Sequence, residues 1–428
     1  MKIPDRTIQP TVNLLEEINL PSPQLFILDN GIKVYSFSAG TQDVLKIEFV
    51  FEAGSWYQDK KLQAFSTVKM LTEGTAKHTA AELAEIFDFF GGHVETEAER
   101  DYTFVSLYSL NKNIDKLLPV FSEMIREPVF PEKELSVFLT NTRQEQMVSM
   151  QKVNYIARVK FAEQLYGAKH PYGQSPLLED YDNISSSDLI DFYKKYFIAE
   201  NTRIIISGKI PAHILKLLNT YFGDKAFKSE YKTAKVDFPI ISSSIQKQFY
   251  PKENAVQSGI RIGKILFPRN HPDYIGMAIL STILGGYFGS RLMSNIREDK
   301  GYTYGIGSGL ISMRHSGYLY IASEVGADVS EKAVEEIYKE IDRLCIEAVP
   351  EKELSLVKNY MTGAFLRNID GPFAIAERFI STIDYNLDFR EYYLRYLNTI
   401  KTINSEKIIS LAIKYLQKKS FSEAISGK

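Results

Sequence analysis

The chain has 428 residues, of which 44% are hydrophobic and 24% are charged, and its formal net charge is −2. This length exceeds what one ordinary hydrophobic core accommodates, so we expect a soluble protein of two domains. The near-neutral charge argues against a nucleic-acid partner, which requires a strongly basic face. No apolar run reaches the roughly 18 residues that cross a bilayer, and residues 1–20 lack the pattern of a signal peptide. A cytoplasmic protein with no membrane partner is expected.

The N-terminal third of the sequence predicts both strands and helices. Asn30-Gly31 lies between two apolar runs, which is typical of a tight hairpin turn. Residues 45–51 alternate between the two sides of a strand, which indicates one buried face. Thr79 and Glu82 form a capping box that begins an amphipathic helix. Two further elements follow, a strand over 103–110 and a helix over 114–125. Mixed strands and helices with hairpins favour an α+β fold.

An internal repeat relates the two halves of the sequence. The hexapeptide Pro131–Ser136 recurs letter for letter as Pro350–Ser355, at an offset of 219 residues. The tetrapeptide Ile206–Lys209 recurs as Ile425–Lys428 at the same offset. Matches at a single long offset indicate a duplicated structural unit. The sequence therefore predicts two tandem homologous α/β domains.

The boundaries of these domains follow from composition. Lys, Ser and Thr are frequent over residues 227–244, and the hydrophobic periodicity fades there. A polar stretch without periodicity is typical of a linker between domains. We predict an N-terminal domain over 1–226, a linker over 227–244 and a C-terminal domain over 245–428.

A series of short motifs in the first half is shared with one group of zinc peptidases. In chain order they are Ala53-Gly54-Ser55, Met70-Leu71, Glu73-Gly74-Thr75, Gly91-Gly92 and His170-Pro171-Tyr172-Gly173. In this order they resemble the insulinase, pitrilysin and mitochondrial-processing-peptidase superfamily, in which an inverted H-x-x-E-H helix holds zinc. The resemblance covers nearly the whole chain. It implies a clam-shaped subunit made of a duplicated domain, in agreement with the repeat.

The sequence departs from the family pattern at the zinc motif. Counted back from the Met-Leu motif, the H-x-x-E-H positions fall on Phe65 to Lys69. A zinc site needs two imidazoles and a nearby carboxylate base, but Phe65 and Lys69 occupy the imidazole positions and Val68 that of the base. Glu145 lies where the family keeps its third ligand, and we expect it to be an ordinary helix residue. We predict no metal in this chain and zinc in a partner subunit.

The remaining cysteine and histidines indicate no other metal site. Cys345 is the only cysteine and lies in an amphipathic run, where a small buried hydrophobe is expected. No two of the six histidines lie three or four residues apart, the spacing of paired ligands on one helix face. Each histidine is therefore expected to be a surface or core residue.

The second half retains a different family segment. Residues 285–292 and 296–304 resemble the segment in which an Arg and a Tyr point from the C-terminal domain into the active chamber. By this match the pair is Arg297 and Tyr304. A guanidinium and a phenol donate hydrogen bonds to a substrate carbonyl or to the developing oxyanion. The alternative is a charged hairpin end with an aromatic ring packed on a sheet. Residues 305–309 alternate Gly with other residues and are expected to form a small-residue strand beside a chamber.

Two functions of different classes follow from this pattern. The first is the non-zinc-binding subunit of a heterodimeric metallopeptidase, inactive alone, which acts on unstructured peptides together with a homologous H-x-x-E-H subunit. The resemblance implies that the zinc subunit supplies metal and base while this chain supplies Arg297 and Tyr304 in trans. Peptides would bind as an added strand along a sheet edge. The second is an inert scaffold or peptide-binding homologue, like the core proteins of respiratory complexes.

Overall fold

The computed structural model describes Thr7, Ile18 and residues 20–227, 237–243 and 245–428. Six strands of the first half form one sheet: β1 Gln24–Ile27, β2 Lys33–Ser38, β3 Val44–Phe51, β4 His93–Ala98, β5 Thr103–Leu110 and β6 Thr202–Gly208. Five strands of the second half form another: β7 Lys247–Pro251, β8 Gln257–Leu266, β9 Thr303–Ser312, β10 Gly317–Gly326 and β11 Ser422–Gly427.

Both halves also contain helices, which lie between groups of consecutive strands. The first half contains α1 Gln63–Met70, α2 Ala80–Phe89, α3 Ile114–Arg126, α4 Glu132–Ser149, α5 Val153–Tyr166, α6 Ser186–Tyr196 and α7 Ile214–Phe222. The second contains α8 Tyr274–Ser281, α9 Ser330–Ile346, α10 Glu351–Arg367, α11 Pro372–Ile383, α12 Phe389–Thr402 and α13 Ser405–Tyr415. In the described ranges, none of these helices combines the length and the apolar character that a membrane span requires.

Five strands have the same order in both sheets, and the first sheet has one additional edge strand, β1. The first runs β1-β2-β6-β3-β5-β4 and the second β7-β11-β8-β10-β9. In each half, the last strand lies between two earlier strands of its sheet. In the first half, β6 pairs in parallel with β2 and antiparallel with β3. In the second half, β11 pairs in parallel with β7 and antiparallel with β8. The repeated hexapeptide begins α4 in one half and α10 in the other, with its proline at the N-cap in both. The predicted α+β fold of two homologous α/β domains is confirmed.

Most of the local predictions for the first third are also confirmed. The Asn30-Gly31 turn joins antiparallel β1 and β2, and Gly31 takes a φ of 96°, which glycine adopts without strain. The Thr79 side chain accepts a hydrogen bond from the Glu82 backbone while Glu82 reaches back to Thr79, as in a capping box. The strand over 103–110 and the helix that begins at Ile114 lie where the sequence predicts them.

The prediction that β3 has one buried face is wrong. Nearly every residue of β3 is buried, including Lys46 and Glu48, which form an ion pair of 2.8 Å. Ser106 on the neighbouring strand donates a hydrogen bond to Glu48 at 2.9 Å. The charged residues are buried because β3 is a central strand and the second face of its sheet is also covered, and the pair compensates their loss of water.

That second face is covered by a helix from the other half. α11 packs against β2 and β6 of the first sheet, with Tyr35 and Phe379 rings 4.8 Å apart. Reciprocally, α5 packs against β8 and β11 of the second sheet, where Phe161 lies 6.0 Å from Tyr318. Shifted by the repeat offset, the first residue of α5 falls on the first residue of α11. The two repeats therefore exchange equivalent helices, and neither sheet is fully covered without the other half.

The domain limits at 226 and 245 remain a prediction. Much of the predicted linker, residues 228–236 and Ser244, lies outside the described residues. Among the described residues, strands of the first sheet end at Gly208 and those of the second begin at Lys247, so neither described sheet includes strands from both sides of the predicted linker.

Candidate functional site

The residues at the zinc-motif positions lie on α1 and are built into the fold. Val68 is fully buried, and the Phe65 ring packs against Phe138 of α4 with 5.6 Å between centroids. The Lys69 ammonium donates a hydrogen bond to the backbone carbonyl of Thr96 on edge strand β4. The positions predicted for the zinc motif thus have structural partners of their own.

These residues do not fit a zinc ion. A phenyl ring, an isopropyl group and an ammonium offer no lone pair to a cation. Glu145 lies exposed on α4, the helix that packs against α1, and a single carboxylate does not make a zinc site. In the described part of the chain, no three or more His, Cys, Asp or Glu side chains are grouped so as to hold a metal ion.

Arg297 and Tyr304 lie at the start of edge strand β9. Arg297 belongs to the π-helical segment Met293–Asp299, which packs against β9, and Tyr304 is the second residue of that strand. The Tyr304 side chain is 92% exposed, and Phe288 beside the pair is 63% exposed. The Arg297 guanidinium lies 4.7 Å from the centre of the Phe288 ring, a cation–π contact that fixes its position without using its donors. Because Tyr304 is exposed, its ring is not packed on the sheet, which was the alternative expected from the sequence.

A β-bulge presents Tyr304 to solvent. In the pairing of β9 with β10, Ile306 lies opposite Ser323 and Thr303 lies opposite Val325. Two residues of β9, Tyr304 and Gly305, therefore lie opposite the single residue Glu324 of β10. The Thr303 hydroxyl donates to the carbonyl of that residue, Glu324, at 2.6 Å, and the Ser323 hydroxyl donates to the Gly305 carbonyl at 3.0 Å. Bulges redirect side chains at sheet edges, often beside active sites. Here the bulge turns the phenol away from the sheet.

The small residues of β9 allow the neighbouring segment to approach closely. A Cβ on Gly285, in the π-helical segment Thr282–Gly286, would lie 2.6 Å from the backbone nitrogen of Ser308. Residues 305–309 lie within β9, so the predicted small-residue strand is confirmed. This close packing supports the strand that holds Tyr304.

A cavity of about 770 Å³ lies between the two halves. It is lined by the turn after β4, by the segment before α1 and the start of α1 with Phe65, by the end of β9, by α5 and by the region after α11. Arginine and tyrosine side chains contribute much of its wall, among them Arg100, Tyr102, Arg158 and Arg269. Sequence reasoning missed this cavity, because its residues come from separate segments with no common spacing.

The His-Pro-Tyr-Gly motif holds the two halves together beside this cavity. The Tyr172 hydroxyl donates to Asp101 at 2.5 Å and accepts from the backbone of His315, in the second half, at 3.3 Å. The backbone N–H of Arg314 donates to the other oxygen of Asp101 at 3.0 Å, and the Arg314 guanidinium pairs with Glu52 at 2.9 Å. The motif thus has a structural role at the junction.

This junction is expected to weaken in acid because of His170. The His170 ring is 5% exposed, and its Nδ1 accepts the Tyr172 backbone N–H at 3.0 Å. Burial lowers the pKa of His170, the nearby His315 and Arg100 charges lower it further, and a hydrogen bond with the Phe238 backbone raises it. The unfolded chain therefore binds a proton at this histidine more readily than the folded chain does. The contribution of neutral His170 to the free energy of unfolding is fully present above the unfolded pKa of about 6.5, and it is lost as pH falls through the lower folded pKa.

We therefore expect the Tm to fall by a few degrees as pH is lowered from about 7.5 to 5.5, measured by thermal unfolding. His170→Asn, which keeps an acceptor near Nδ1 but does not titrate, should flatten this profile. The matched control is His93→Asn at an exposed position. An unchanged slope in His170→Asn would contradict the assignment.

Two repeated α/β domains with one strand order, joined through exchanged helices, define a duplicated peptidase-type fold. The chain belongs to the insulinase family of peptidases, family M16. Residues 33–169 match the model of Insulinase (Peptidase family M16), and residues 183–361 match the Peptidase M16 inactive domain. The two models together cover well over half of the chain.

Named relatives include both proteases and proteins described as inactive. An uncharacterized zinc protease of Bacillus subtilis, YmxG, is 23% identical over 81% of this chain and 84% of its own length. The beta subunit of the rat mitochondrial-processing peptidase is 22% identical over 96% of this chain and 85% of its own length. A crystal structure of a peptidase M16 inactive domain from Pseudomonas fluorescens superposes with a TM-score of 0.87, at 23% identity, covering 95% of this chain and 98% of that one. The last likeness shows the fold.

Proposed function

We propose that this chain is the non-zinc-binding subunit of a heterodimeric metallopeptidase, in which Arg297 and Tyr304 orient the peptide and stabilise the oxyanion in trans. One observation carries the proposal. Among the described residues neither side chain makes a hydrogen bond or ion pair, although a bulge and a ring contact hold both at a sheet edge. Exposed donors that have no partner among the described residues are available to a ligand from outside.

The zinc-motif positions support a division of labour. Phe65, Val68 and Lys69 are occupied by packing and by a backbone hydrogen bond within this chain. Any metal and general base must therefore come from another subunit. The beta subunit of mitochondrial-processing peptidase is a relative that is itself named as a subunit, which supports a homologous partner with the H-x-x-E-H motif.

The chemistry of the pair suits peptide cleavage. The Tyr304 phenol donates one hydrogen bond and Arg297 offers further N–H donors, and neither is consumed in the reaction. Within the described ranges, no strand lies beside the outer edge of β9. An unstructured peptide can add to such an edge through backbone hydrogen bonds, which would place its carbonyl groups near the pair.

Reconstitution tests this function. The isolated chain should leave a quenched fluorogenic peptide uncut, whereas its mixture with the H-x-x-E-H homologue should cleave the peptide in a chelator-sensitive reaction. The partner alone and a partner whose motif glutamate is changed to glutamine are the controls. Equal rates for the partner with and without this chain would remove its catalytic role.

The second candidate is a peptide-binding or scaffold protein without catalytic activity. The cavity between the halves favours it, because residues of this chain alone line that cavity and Phe65, the predicted zinc-motif residue in its wall, carries no ligand atom. The family model for an inactive domain over residues 183–361 agrees with either function. A complex that assembles and binds peptide but never cleaves it would favour this candidate.

A further inference from the structure

Another cavity, of about 720 Å³, lies where α5 begins, between the turn after α4 and the turn that joins β7 to β8. Gly259 of β8 lets the two halves meet closely here, because a Cβ at this position would lie 2.6 Å from the carbonyl group of Val153, the first residue of α5. Each half contributes two cations to the wall of the cavity: Lys152 and Arg158 from the first half, and Lys252 and Arg261 from the second. The packing of one half on the other thus brings four positive charges together.

Among the described residues, none of these four cations forms an ion pair. The Lys252 ammonium donates a hydrogen bond to the side-chain oxygen of Gln151 at 2.6 Å. Nη2 of Arg261 donates to the side-chain oxygen of Asn154 at 2.8 Å, and Nη1 has no hydrogen-bond partner in the described part of the chain. Neutral amide partners satisfy one donor each and leave both positive charges in place.

The two cations of the first half are exposed to solvent and accessible to a ligand. The Arg158 guanidinium lies 5.1 Å from the centre of the Tyr155 ring, a cation–π contact that uses none of its N–H donors. Lys152 is the N-cap of α5, whose first turn has no acidic residue, so the positive end of the helix dipole adds to the charge of the wall.

The carboxylates of the wall are too few to balance this charge. There are two of them, Glu253 and Glu324, against four cations, and neither forms an ion pair among the described residues. Burial lowers the pKa of Arg261, the charge of Arg158 lowers it further, and nearby tyrosines and Glu324 only partly oppose these effects. Removal from water and a neighbouring cation both disfavour the charge of Arg261, and an anionic ligand would favour it.

The cavity adjoins the strands that present Tyr304. Glu324 in its wall lies opposite the bulge residues Tyr304 and Gly305. Arg261 lies opposite Ala322 of β10, on β8, which is two strand spacings, or about 10 Å, from β9. An extended peptide covers this distance in about three residues. A ligand bound in the cavity can therefore extend across β10 to the edge of the sheet near Tyr304.

We propose that this cavity binds an acidic segment of a peptide, whose carboxylates are held by Arg261, Arg158 and Lys252. Hydrogen bonds between guanidinium or ammonium groups and carboxylates are among the strongest in proteins. Cations on walls from both halves suit carboxylates spaced along a peptide better than one compact anion, and the volume of about 720 Å³ accommodates a few residues. This binding requires no zinc subunit. That the bound peptide is also a substrate rests on the proposed function, which would then act on acidic peptides.

Calorimetric titration of the isolated full chain tests the site. The probes are N-acetyl-Ala-Asp-Ala-Asp-Ala-Asp-Ala-amide, the same peptide with Asn in place of Asp, the same peptide with Lys in place of Asp, and inorganic phosphate. We expect the Asp peptide to bind roughly tenfold or more tightly than the Asn peptide, because the side-chain amide has nearly the same shape and lacks the charge. This ratio should shrink several-fold between about 50 and about 500 mM salt, since salt screens exposed cations.

Two variants locate the binding. Arg158→Gln and Lys252→Gln should each weaken binding of the Asp peptide several-fold and leave binding of the Asn peptide unchanged. Neither side chain is buried, so both variants should fold with an unchanged Tm. Arg395→Gln is the matched control, because Arg395 is also an exposed arginine that contacts a ring of its own helix, that of Tyr392, at 5.7 Å.

The outcomes for this site and for the proposed function are distinguishable. Equal affinity for the Asp and Asn peptides, unchanged affinity in both variants, tighter binding of the Lys peptide, or phosphate binding as tight as that of the Asp peptide would each overturn the acidic-peptide site. If the Asp peptide binds with the expected preference but the reconstituted complex cleaves no peptide, the site stands and the catalytic role fails.

Discussion

Replacing Tyr304 by phenylalanine is expected to lower peptide turnover by the reconstituted complex roughly a hundredfold, a loss of about 3 kcal/mol of transition-state stabilisation. The change removes one donor and keeps the ring. Because the side chain is exposed and has no hydrogen-bond partner among the described residues, stability should not change. Initial rates with a fluorogenic peptide measure the effect, and size-exclusion chromatography measures assembly with the partner.

Arg297→Ala should impair the same step and also weaken peptide binding, so that the double variant loses less than the product of the single effects. Tyr302→Phe is the matched control, since this neighbouring tyrosine is partly buried against the core of the second half. Normal assembly with turnover within about twofold of the parent in both Tyr304→Phe and Arg297→Ala would show that the pair is structural. The scaffold would then be the better account.

Removing the Asp384 carboxylate is expected to destabilise the chain by about 3–5 kcal/mol, the usual cost of leaving a buried charge without its partner. Asp384 follows α11 and forms an ion pair with Arg203 of β6, with side chains 11% and 16% exposed. The pair joins the exchanged helix to the sheet of the other half. Asp384→Ala should therefore lower the urea midpoint, measured by circular dichroism, and increase proteolysis between the halves.

Two variants control this result. Asp182→Ala breaks an Arg–Asp pair of the same type at the surface, with Arg143, and should change stability by less than about 1 kcal/mol. The double variant Arg203→Met with Asp384→Leu removes both charges and should recover much of the loss. If Asp384→Ala were no less stable than Asp182→Ala, the pair would not hold the halves together.

Local features of the fold were predictable because they depend on neighbouring residues. The Asn30-Gly31 turn needs a positive φ that these residues tolerate, and the Thr79–Glu82 capping box needs only a spacing of three. The repeat at an offset of 219 residues predicted two homologous domains, because duplicated sequences fold alike. The family resemblance likewise placed Arg297 and Tyr304 in one segment.

Features that depend on distant segments were decided by the tertiary structure. The alternation over 45–51 predicted one exposed face, but β3 is a central strand and α11, from the other half, packs on the neighbouring strands β2 and β6 of the same sheet. Periodicity reports the chemistry of a strand and contains no information about which helix lies on it. The sequence by itself determined the duplicated α+β fold and the residue types at the zinc-motif positions. Only the tertiary structure decided that Lys46 and Glu48 are buried and that arginines from separate segments share a cavity, because both depend on the packing of one half on the other. The bulge that exposes Tyr304 depends on the pairing of β9 with β10 within the second half, about which periodicity contains no information.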